Sequence, residues 1–215
     1  MCYFIAEGYY HTRSVKKYAL RLLVFAVIAY LPFVLFETKK LPTAQTVLTF
    51  NVIYTLLLGL LALWAWDKMQ NQVMKTLTVI GLCILAVFGD WAFFGVLYVL
   101  AFGINRGDFK KQIKWFSIIS AIMVAMSSMP FIFINIAMQI PAYAPAIQKS
   151  LQLTGVTSVP PVYSQFFQLG VFLAVPLLTM YNGQRGGGKY SKWVFYVFYP
   201  AHLLILALLK IYLIK

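Results

Sequence analysis

Acidic residues are scarce in this sequence: 5 Asp and Glu occur among 215 residues, and charged residues of either sign make up 11% of the chain. A soluble domain carries about 25% charged and about 45–50% apolar residues. This chain is 62% hydrophobic, with a mean hydropathy of +0.81, which is more apolar surface than a fold of this length can bury. The composition therefore excludes a water-soluble enzyme, a disordered chain and a coiled coil, and predicts an integral membrane protein.

Cysteine and the common catalytic motifs are also scarce. The two cysteines, Cys2 and Cys83, lie in apolar runs and predict neither a disulfide framework nor a metal site. The sequence contains no HExxH, CxxC, GxSxG, GxGxxG or P-loop motif. Its 18 cations against 5 anions give a net charge of +13, which membrane topology explains better than a nucleic-acid partner.

Long apolar segments separated by short polar loops predict an all-α, polytopic transmembrane helix bundle that forms a single domain over residues 1–215. We expect about six to seven membrane segments plus a partial N-terminal helix. The predicted spans cover residues 18–36, 46–66, 76–104, 115–139, 166–181 and 193–213. Residues 1–10 reach only about 15 Å as a helix, half of a bilayer core, so we interpret them as the end of a membrane helix whose beginning is missing.

The segment 76–104 is too long for one comfortable crossing and short for two. Positive residues collect in cytoplasmic loops. If this segment crosses twice, or enters and returns as a re-entrant hairpin, 13 of the 18 cations fall on one side, whereas a single crossing splits them equally. We therefore predict two short helices that meet around Gly89 and Asp90, a multi-pass protein of the cytoplasmic membrane, and basic loops that face the cytoplasm.

Ionisable groups inside a membrane cost about 2.5–3.5 kcal/mol each, so such a group is a functional hypothesis by default. Glu7 lies within the first apolar run, near a basic stretch. It is a candidate general base or proton carrier. The alternative is an ion pair with His11 or Arg13, at or near the i+4 position.

Asp90 and His202 are the other two candidate catalytic groups. Asp90 is interpreted either as a site residue that faces a cavity or as the N-cap of the second half-helix. His202, beside Tyr199 in the last span, can exchange protons near neutral pH, although a buried histidine is usually a satisfied core residue. Asn51 is interpreted as an interhelical hydrogen-bonding residue.

A glycine-rich basic loop, 182–192, is a candidate anion site because glycine lets backbone approach a phosphate and cations neutralise it. The alternative is a flexible turn that obeys the positive-inside rule. The candidate residues of this loop are Asn182, Gly183, Arg185, Gly186 and Lys189.

Four blocks of the sequence resemble the TraX family in the family's order. They begin with EGYYHTRSVKKYALRLLVFAVIAYLPF, NVIYTLLLGLLAL, GDWAFFGVLYVL and LLTMYNGQRGGGKYSKWVFYVFYPAHLLIL, and the last is the most specific. The resemblance implies a membrane acyltransferase that transfers acetyl from cytoplasmic acetyl-CoA to a membrane or extracellular acceptor, such as pilin or another cell-envelope component. The matching positions include Glu7, His11, Arg21, Asn51, Asp90, Asn182, Arg185, Tyr199 and His202.

The resemblance also implies roles for these residues. Arg185 and Lys189 would hold the coenzyme phosphates, His202 or Glu7 would deprotonate the acceptor, and Asp90 would shape the cavity. Family members usually begin with a further hydrophobic segment bearing an Asp-His pair, so we expect this chain to be N-terminally truncated. A small transporter or channel and a non-catalytic membrane subunit are the alternative functions.

Overall fold

The computed structural model describes residues 1–44, 46–153, 161–181 and 191–212. The elements of regular secondary structure in these residues are helices, which confirms the predicted all-α class, and the described residues also contain an isolated parallel β-bridge between Phe50 and Gly89. The α-helices are α1 (Cys2–His11), α2 (Val15–Thr38), α3 (Val52–Lys68), α4 (Gln72–Ala86), α5 (Ala92–Ile104), α6 (Phe109–Met138), α7 (Ala144–Leu153), α8 (Ala174–Thr179) and α9 (Ser191–Tyr212). A 3₁₀ helix, Val162–Leu173, precedes α8.

The chain divides into two compact units, which we describe separately. Unit 1 comprises Met1–Gln112 and Gln184–Lys215, and unit 2 comprises Ile113–Gly183. Of the described helices, α2 with 24 residues and α6 with 30 are long and apolar enough to cross a membrane. The predicted total of six to seven membrane segments stays a prediction, because the other apolar helices are shorter.

Helix α2 begins where Ser14 caps it by accepting a hydrogen bond from the backbone N–H of Lys17. One side of the helix is buried in unit 1, at Leu22, Ala29 and Phe33 for example. Its opposite side is also apolar but exposed, with Val27 68% and Leu20 59% accessible. A helix that is hydrophobic all round is adapted to lipid rather than to water.

Helices α3 and α5 run parallel to each other in close contact. A Cβ at Gly59 would lie 2.8 Å from Val99, and one at Gly95 would lie 2.5 Å from the Thr55 methyl group, so residues without side chains permit this approach. Helix α1 is parallel to α5, because Tyr10 Oη donates to the Gly103 carbonyl at 3.0 Å and Cys2 lies beside Gly95. The C-terminal ends of α1, α3 and α5 therefore meet, and we call this the basic end of unit 1.

Helix α9 runs parallel to α2 along its length. Near the start of α9, Tyr196 stacks on Phe25, and near its end Lys210 Nζ donates to the Phe36 carbonyl at 2.8 Å. The start of α2 lies at the basic end, because Tyr18 packs against Gly8 of α1. The loops 69–71 and 105–108 also lie at the basic end, as the hairpin interpretation of 76–104 requires.

The predicted break in the 76–104 segment is confirmed. Helix α4 ends at Ala86 and α5 begins at Ala92, and the tip between them pairs with residue 50: the N–H of Phe50 donates to Phe88 O, and the N–H of Asp90 donates to Phe50 O. The predicted span 46–66 is wrong at its start, since α3 begins only at Val52. Asn51 caps this helix with its side-chain oxygen, and the preceding residues form turns.

Unit 2 contains most of α6, followed by α7, the 3₁₀ helix and α8. Pro130 lies within α6, where the sequence predicted an interruption, and the helix continues through it. The predicted polar connection 140–165 contains α7, a helix that the sequence analysis did not anticipate. Pro145 is its second residue, a position where the missing N–H of proline has no intrahelical acceptor to lose.

Candidate functional site

At the basic end of unit 1, three ionisable side chains meet. Arg106 holds the Glu7 carboxylate through Nε to Oε1 and Nη2 to Oε2, both at 3.3 Å. His11 Nε2 lies 3.4 Å from Glu7 Oε2 and 3.3 Å from Arg106 Nη2. The predicted pairing of Glu7 with His11 is therefore confirmed as a contact between the two side chains, and Arg106 is a third partner. We call Glu7, His11 and Arg106 the Glu7 cluster.

Local structure positions each member of the Glu7 cluster. Glu7 and His11 are four residues apart on α1, so their side chains project from the same face. Arg106 follows the last turn of α5, and its guanidinium lies over the Tyr10 ring, 4.6 Å from the centroid. Gly107 then turns the chain with a φ of 90°, a backbone conformation that residues with a side chain rarely adopt.

An open cavity of 520 Å³ adjoins the Glu7 cluster. It is lined by Glu7, Tyr10, Gly103, Ile104, Arg106 and Gly107. Glu7 is mostly shielded, with 21% of its side chain accessible, whereas 70% of the His11 side chain is accessible. The cavity is thus lined by the Glu7 carboxylate and by the Arg106 guanidinium, which can face an anionic or carbonyl oxygen, and the accessible His11 imidazole lies beside these two groups.

The loop after Arg106 contributes a further acid, Asp108, which binds Lys111 and not the Glu7 cluster. Asp108 accepts a hydrogen bond from the backbone N–H of Lys111 at 3.0 Å and pairs with its ammonium group at 3.1 Å. These contacts lower the pKa of the Asp108 carboxyl below its ordinary value, chiefly through the backbone hydrogen bond. Asp108 thus serves the start of α6, where a negative charge is favourable.

A second polar cluster lies where α3 begins. Asn51 is buried, and its Nδ2 donates to the Ala26 carbonyl of α2 at 2.7 Å, which confirms the predicted interhelical hydrogen bond. The Tyr199 phenol of α9 accepts from the N–H of Val52 at 3.4 Å. Asp90 lies near this cluster, because its backbone N–H donates to the Phe50 carbonyl at 2.9 Å.

His202 lies one turn after Tyr199, with the two rings in edge contact at 5.7 Å. Its ring also stacks on Phe198 at 5.1 Å, and Nδ1 is 3.3 Å from the Phe198 carbonyl. Because a carbonyl oxygen only accepts, this contact makes Nδ1 the protonated nitrogen and leaves Nε2 as the acceptor.

The prediction that Asp90 caps α5 is wrong. Trp91 occupies the N-cap position, and no side chain caps this helix. Asp90 lies instead at the exposed surface of the tip, where its N–H is held by Phe50. The backbone pairing with Phe50 fixes the tip, so the carboxylate is not needed for that purpose.

The candidate catalytic residues occupy different levels of unit 1. The backbone of Asp90 pairs with Phe50, next to the start of α3 where Tyr199 and His202 lie, whereas Glu7 lies at the other end of α5. The 13 residues of α5 separate the two levels by about 20 Å. One cavity common to Glu7, Asp90 and His202 is therefore not formed by the described residues.

Arg21 and the glycine-rich loop complete the predicted set. The Arg21 guanidinium lies 5.6 Å from the Tyr18 ring centroid, and among the described residues its buried Nε has no hydrogen-bond partner. The predicted phosphate-binding residues Asn182, Gly183, Arg185, Gly186 and Lys189 lie outside the described residues.

Sequence reasoning missed Arg106 as a site residue. It counted this residue only among the cations of a basic loop, and Glu7 lies 99 positions away in the chain. One signal was present in the sequence: a carboxylate within an apolar run, such as Glu7, requires a positively charged partner.

The comparisons with known proteins were consistent with the resemblance in the sequence. A family model described as TraX protein matches residues 1–210. A protein of Dichelobacter nodosus described as "Probable fimbrial assembly protein FimC, serogroup H1" is 28% identical over 217 residues, which covers 99% of this chain and 79% of the relative. No solved structure matches the chain.

Proposed function

Since this chain belongs to the TraX family and is a membrane protein of helical fold, we propose that it is a membrane acyltransferase that acts in pilus or fimbria assembly or in conjugation. The donor is cytoplasmic acetyl-CoA, and the acceptor is pilin or another component of the membrane or cell envelope. The similarity to the probable fimbrial assembly protein of Dichelobacter nodosus supports the assembly role.

The observation that carries the chemical part of the proposal is the Glu7 cluster beside its cavity. Acyl transfer requires a base that takes a proton from the acceptor and a positive group near the oxygen on which charge develops. His11 is the base of this arrangement, and Glu7, whose carboxylate lies 3.4 Å from the His11 ring, is its positioning residue. Arg106 supplies the positive group.

The cavity suits part of an acetyl-CoA molecule in size and chemistry. Its 520 Å³ falls within the range of about 300–1,000 Å³ typical of small-molecule sites. Acetyl-CoA supplies an activated thioester carbonyl carbon, with thiolate as leaving group. Arg106 and the predicted loop residues Arg185 and Lys189 would hold its anionic groups. Helix α9 follows that loop, and the start of α9 packs against the half of α2 that is nearest the basic end.

The chain's own part in the reaction is the movement of one proton. His11 accepts the proton of the acceptor as the new bond from the acceptor to the acyl carbon forms and the carbon–sulfur bond breaks. His11 then returns this proton to the departing thiolate. Arg106 stabilises the carbonyl oxygen while its charge is largest.

His202 is the competing candidate base. Its Nε2 is the acceptor nitrogen, and its ring contacts Tyr199, whose phenol accepts from the N–H of Val52 near the tip that carries Asp90. In this second arrangement His202 deprotonates the acceptor and Asp90 shapes the space around it. Experiments can distinguish His11 from His202, because the two ends of α5 near which they lie are about 20 Å apart.

The test uses the full chain in lipid nanodiscs with radiolabelled acetyl-CoA and a membrane fraction as acceptor. We expect His11→Gln and Glu7→Gln to lower kcat by about 10²-fold or more, with KM for acetyl-CoA within about twofold of wild type, as removal of a base and of its positioning group predicts. Asp108→Asn, at the same end of unit 1, is the matched control and keeps its activity.

Three results would contradict the proposal in different ways. Absence of both acetyl transfer and acetyl-CoA binding in the wild type refutes the acyltransferase. Loss of activity in His202→Gln, with His11→Gln unaffected, moves the base to the second cluster. A parallel rise of KM and fall of the unfolding temperature in Glu7→Gln assigns Glu7 a structural role.

One observation favours a second candidate function, a small transporter or channel. The helices α4 and α5 meet at a non-helical tip, at a level near the middle of α2, and transporters build their substrate and ion sites from such interrupted helices. Proton-coupled uptake by liposomes that contain the protein, without transfer of labelled acetyl, would favour this function.

A further inference from the structure

The tip between α4 and α5, residues 87–91, is largely exposed on unit 1, but it lies at a level near the middle of α2. Phe50 pairs with the tip on both sides, through Phe88 O at 2.8 Å and the N–H of Asp90 at 2.9 Å. The next residue, Asn51, bonds to the carbonyl of Ala26, the twelfth of the 24 residues of α2. If α2 crosses the membrane, the tip is therefore inside the bilayer, where non-helical backbone needs polar surroundings.

A buried hydroxyl without a partner points at this tip. Thr55 is fully buried, and its Oγ1 has no hydrogen-bond partner among the described residues. This oxygen lies against Gly89, since a Cβ at that glycine would collide with it. The same point is 3.2 Å from the carbonyl oxygen of Ala86. An orphaned hydroxyl at 0% exposure is costly unless a ligand uses it.

The neighbouring carboxylate is also uncompensated. Within the described part of the chain, the side chain of Asp90 forms neither an ion pair nor a hydrogen bond, and the charged group that acts on it is Glu37, another acid. Among the described residues, no cation therefore neutralises the Asp90 carboxylate.

We propose that the tip binds a small monovalent cation, of the size of Na⁺, between the Asp90 carboxylate and Thr55 Oγ1, with a backbone carbonyl of the tip as a further ligand. Hydroxyl, carbonyl and carboxylate oxygens are hard ligands, which suit a hard cation, and backbone carbonyls of interrupted helices coordinate Na⁺ in transporters. One adjacent carboxylate matches one positive charge, which favours a monovalent over a divalent ion. This site does not depend on the acyltransferase proposal.

The test measures the unfolding temperature of the full-length protein in detergent while NaCl replaces choline chloride at constant ionic strength. Fluorescence of Trp91, which adjoins Asp90, provides one readout. We expect a rise in unfolding temperature that saturates with Na⁺, because a ligand that binds the folded state stabilises it by mass action. In Asp90→Asn the half-saturating Na⁺ concentration should increase by about tenfold or more, since a charged ligand is lost.

A pair of substitutions at Thr55 tests the site without altering charge. Thr55→Val preserves the shape but removes the hydroxyl, so it should weaken the Na⁺ response. Thr55→Ser keeps the hydroxyl and should retain it. Asp108→Asn removes a carboxylate at the basic end and is expected to respond to Na⁺ like the wild type.

The proposal is overturned if Na⁺ and choline give the same unfolding temperature in the wild type, which would leave only an effect of ionic strength. It is also overturned if Asp90→Asn responds to Na⁺ like the wild type, or if pH alone, and not Na⁺, moves the unfolding temperature. Should Asp90→Asn fail to fold, equal Na⁺ responses of Thr55→Val and Thr55→Ser would reject the site.

Discussion

Substitution of Asn51 gives the most direct test of how the start of α3 is fixed. The Asn51 side chain is 1% exposed and does two things at once. Its oxygen accepts from the N–H groups of Ile53 and Tyr54, which caps α3, and its Nδ2 donates to the Ala26 carbonyl of α2. Both contributions are lost in Asn51→Ala.

The magnitude follows from these contacts. Loss of a cap costs about 0.5–2 kcal/mol, and an interhelical hydrogen bond in a membrane protein contributes about 0.6 kcal/mol on average. We therefore expect Asn51→Ala to lower the free energy of unfolding by about 1–2.5 kcal/mol. Asn51→Ser keeps a capping oxygen but is too short to reach Ala26, so its cost should be close to that of the interhelical bond alone.

Asn71 provides a matched control in the same unit. It caps α4 in the same way, by accepting from the N–H groups of Val73 and Met74, but it is exposed and reaches no second helix. Equilibrium unfolding in mixed detergent micelles, followed by circular dichroism, should rank the cost of Asn51→Ala above that of Asn71→Ala. Equal costs of these two variants, or an Asn51→Ser protein as stable as the wild type, would refute the interhelical contribution.

Two further stability predictions use the same unfolding assay. Gly95→Ala should destabilise the protein by about 1–3 kcal/mol through overpacking, because its Cβ would lie 2.5 Å from the Thr55 methyl group. Gly81→Ala is the control: a Cβ there would have no described atom within 4 Å, so the substitution should stabilise α4 by up to about 1 kcal/mol. A change of stability with the same sign in both variants would contradict the packing argument. Tyr9→Phe should lower the free energy of unfolding by about 1 kcal/mol, since it removes the 2.7 Å hydrogen bond from Tyr9 to Asp67. Asp67 is exposed, so water replaces part of this hydrogen bond and keeps the cost small. A cost below the error of the assay would show that this bond contributes nothing.

The helical class and the broken 76–104 segment could be predicted because both depend on local sequence. A run of apolar residues can satisfy its backbone groups in lipid only as helix. The length of the segment and the distribution of cations then required a break, and Gly89 is where the chain most easily leaves a helix. The boundary at Asn51 was missed because residues 46–50 are apolar enough to continue a helix, and their pairing with the tip is a tertiary effect.

The candidate site shows the same division. Glu7 and His11 share a face of α1 at a spacing of four residues, and this pair could be anticipated from the sequence alone. Composition and periodicity likewise determined that the chain is a helical membrane protein. The choice of Arg106 as the third member, the separation of Glu7 from Asp90 and His202, and the placement of Thr55 against Gly89 were decided only by the tertiary structure. Each depends on how parallel helices pack at close range, and residues without side chains set that approach across long separations in the chain.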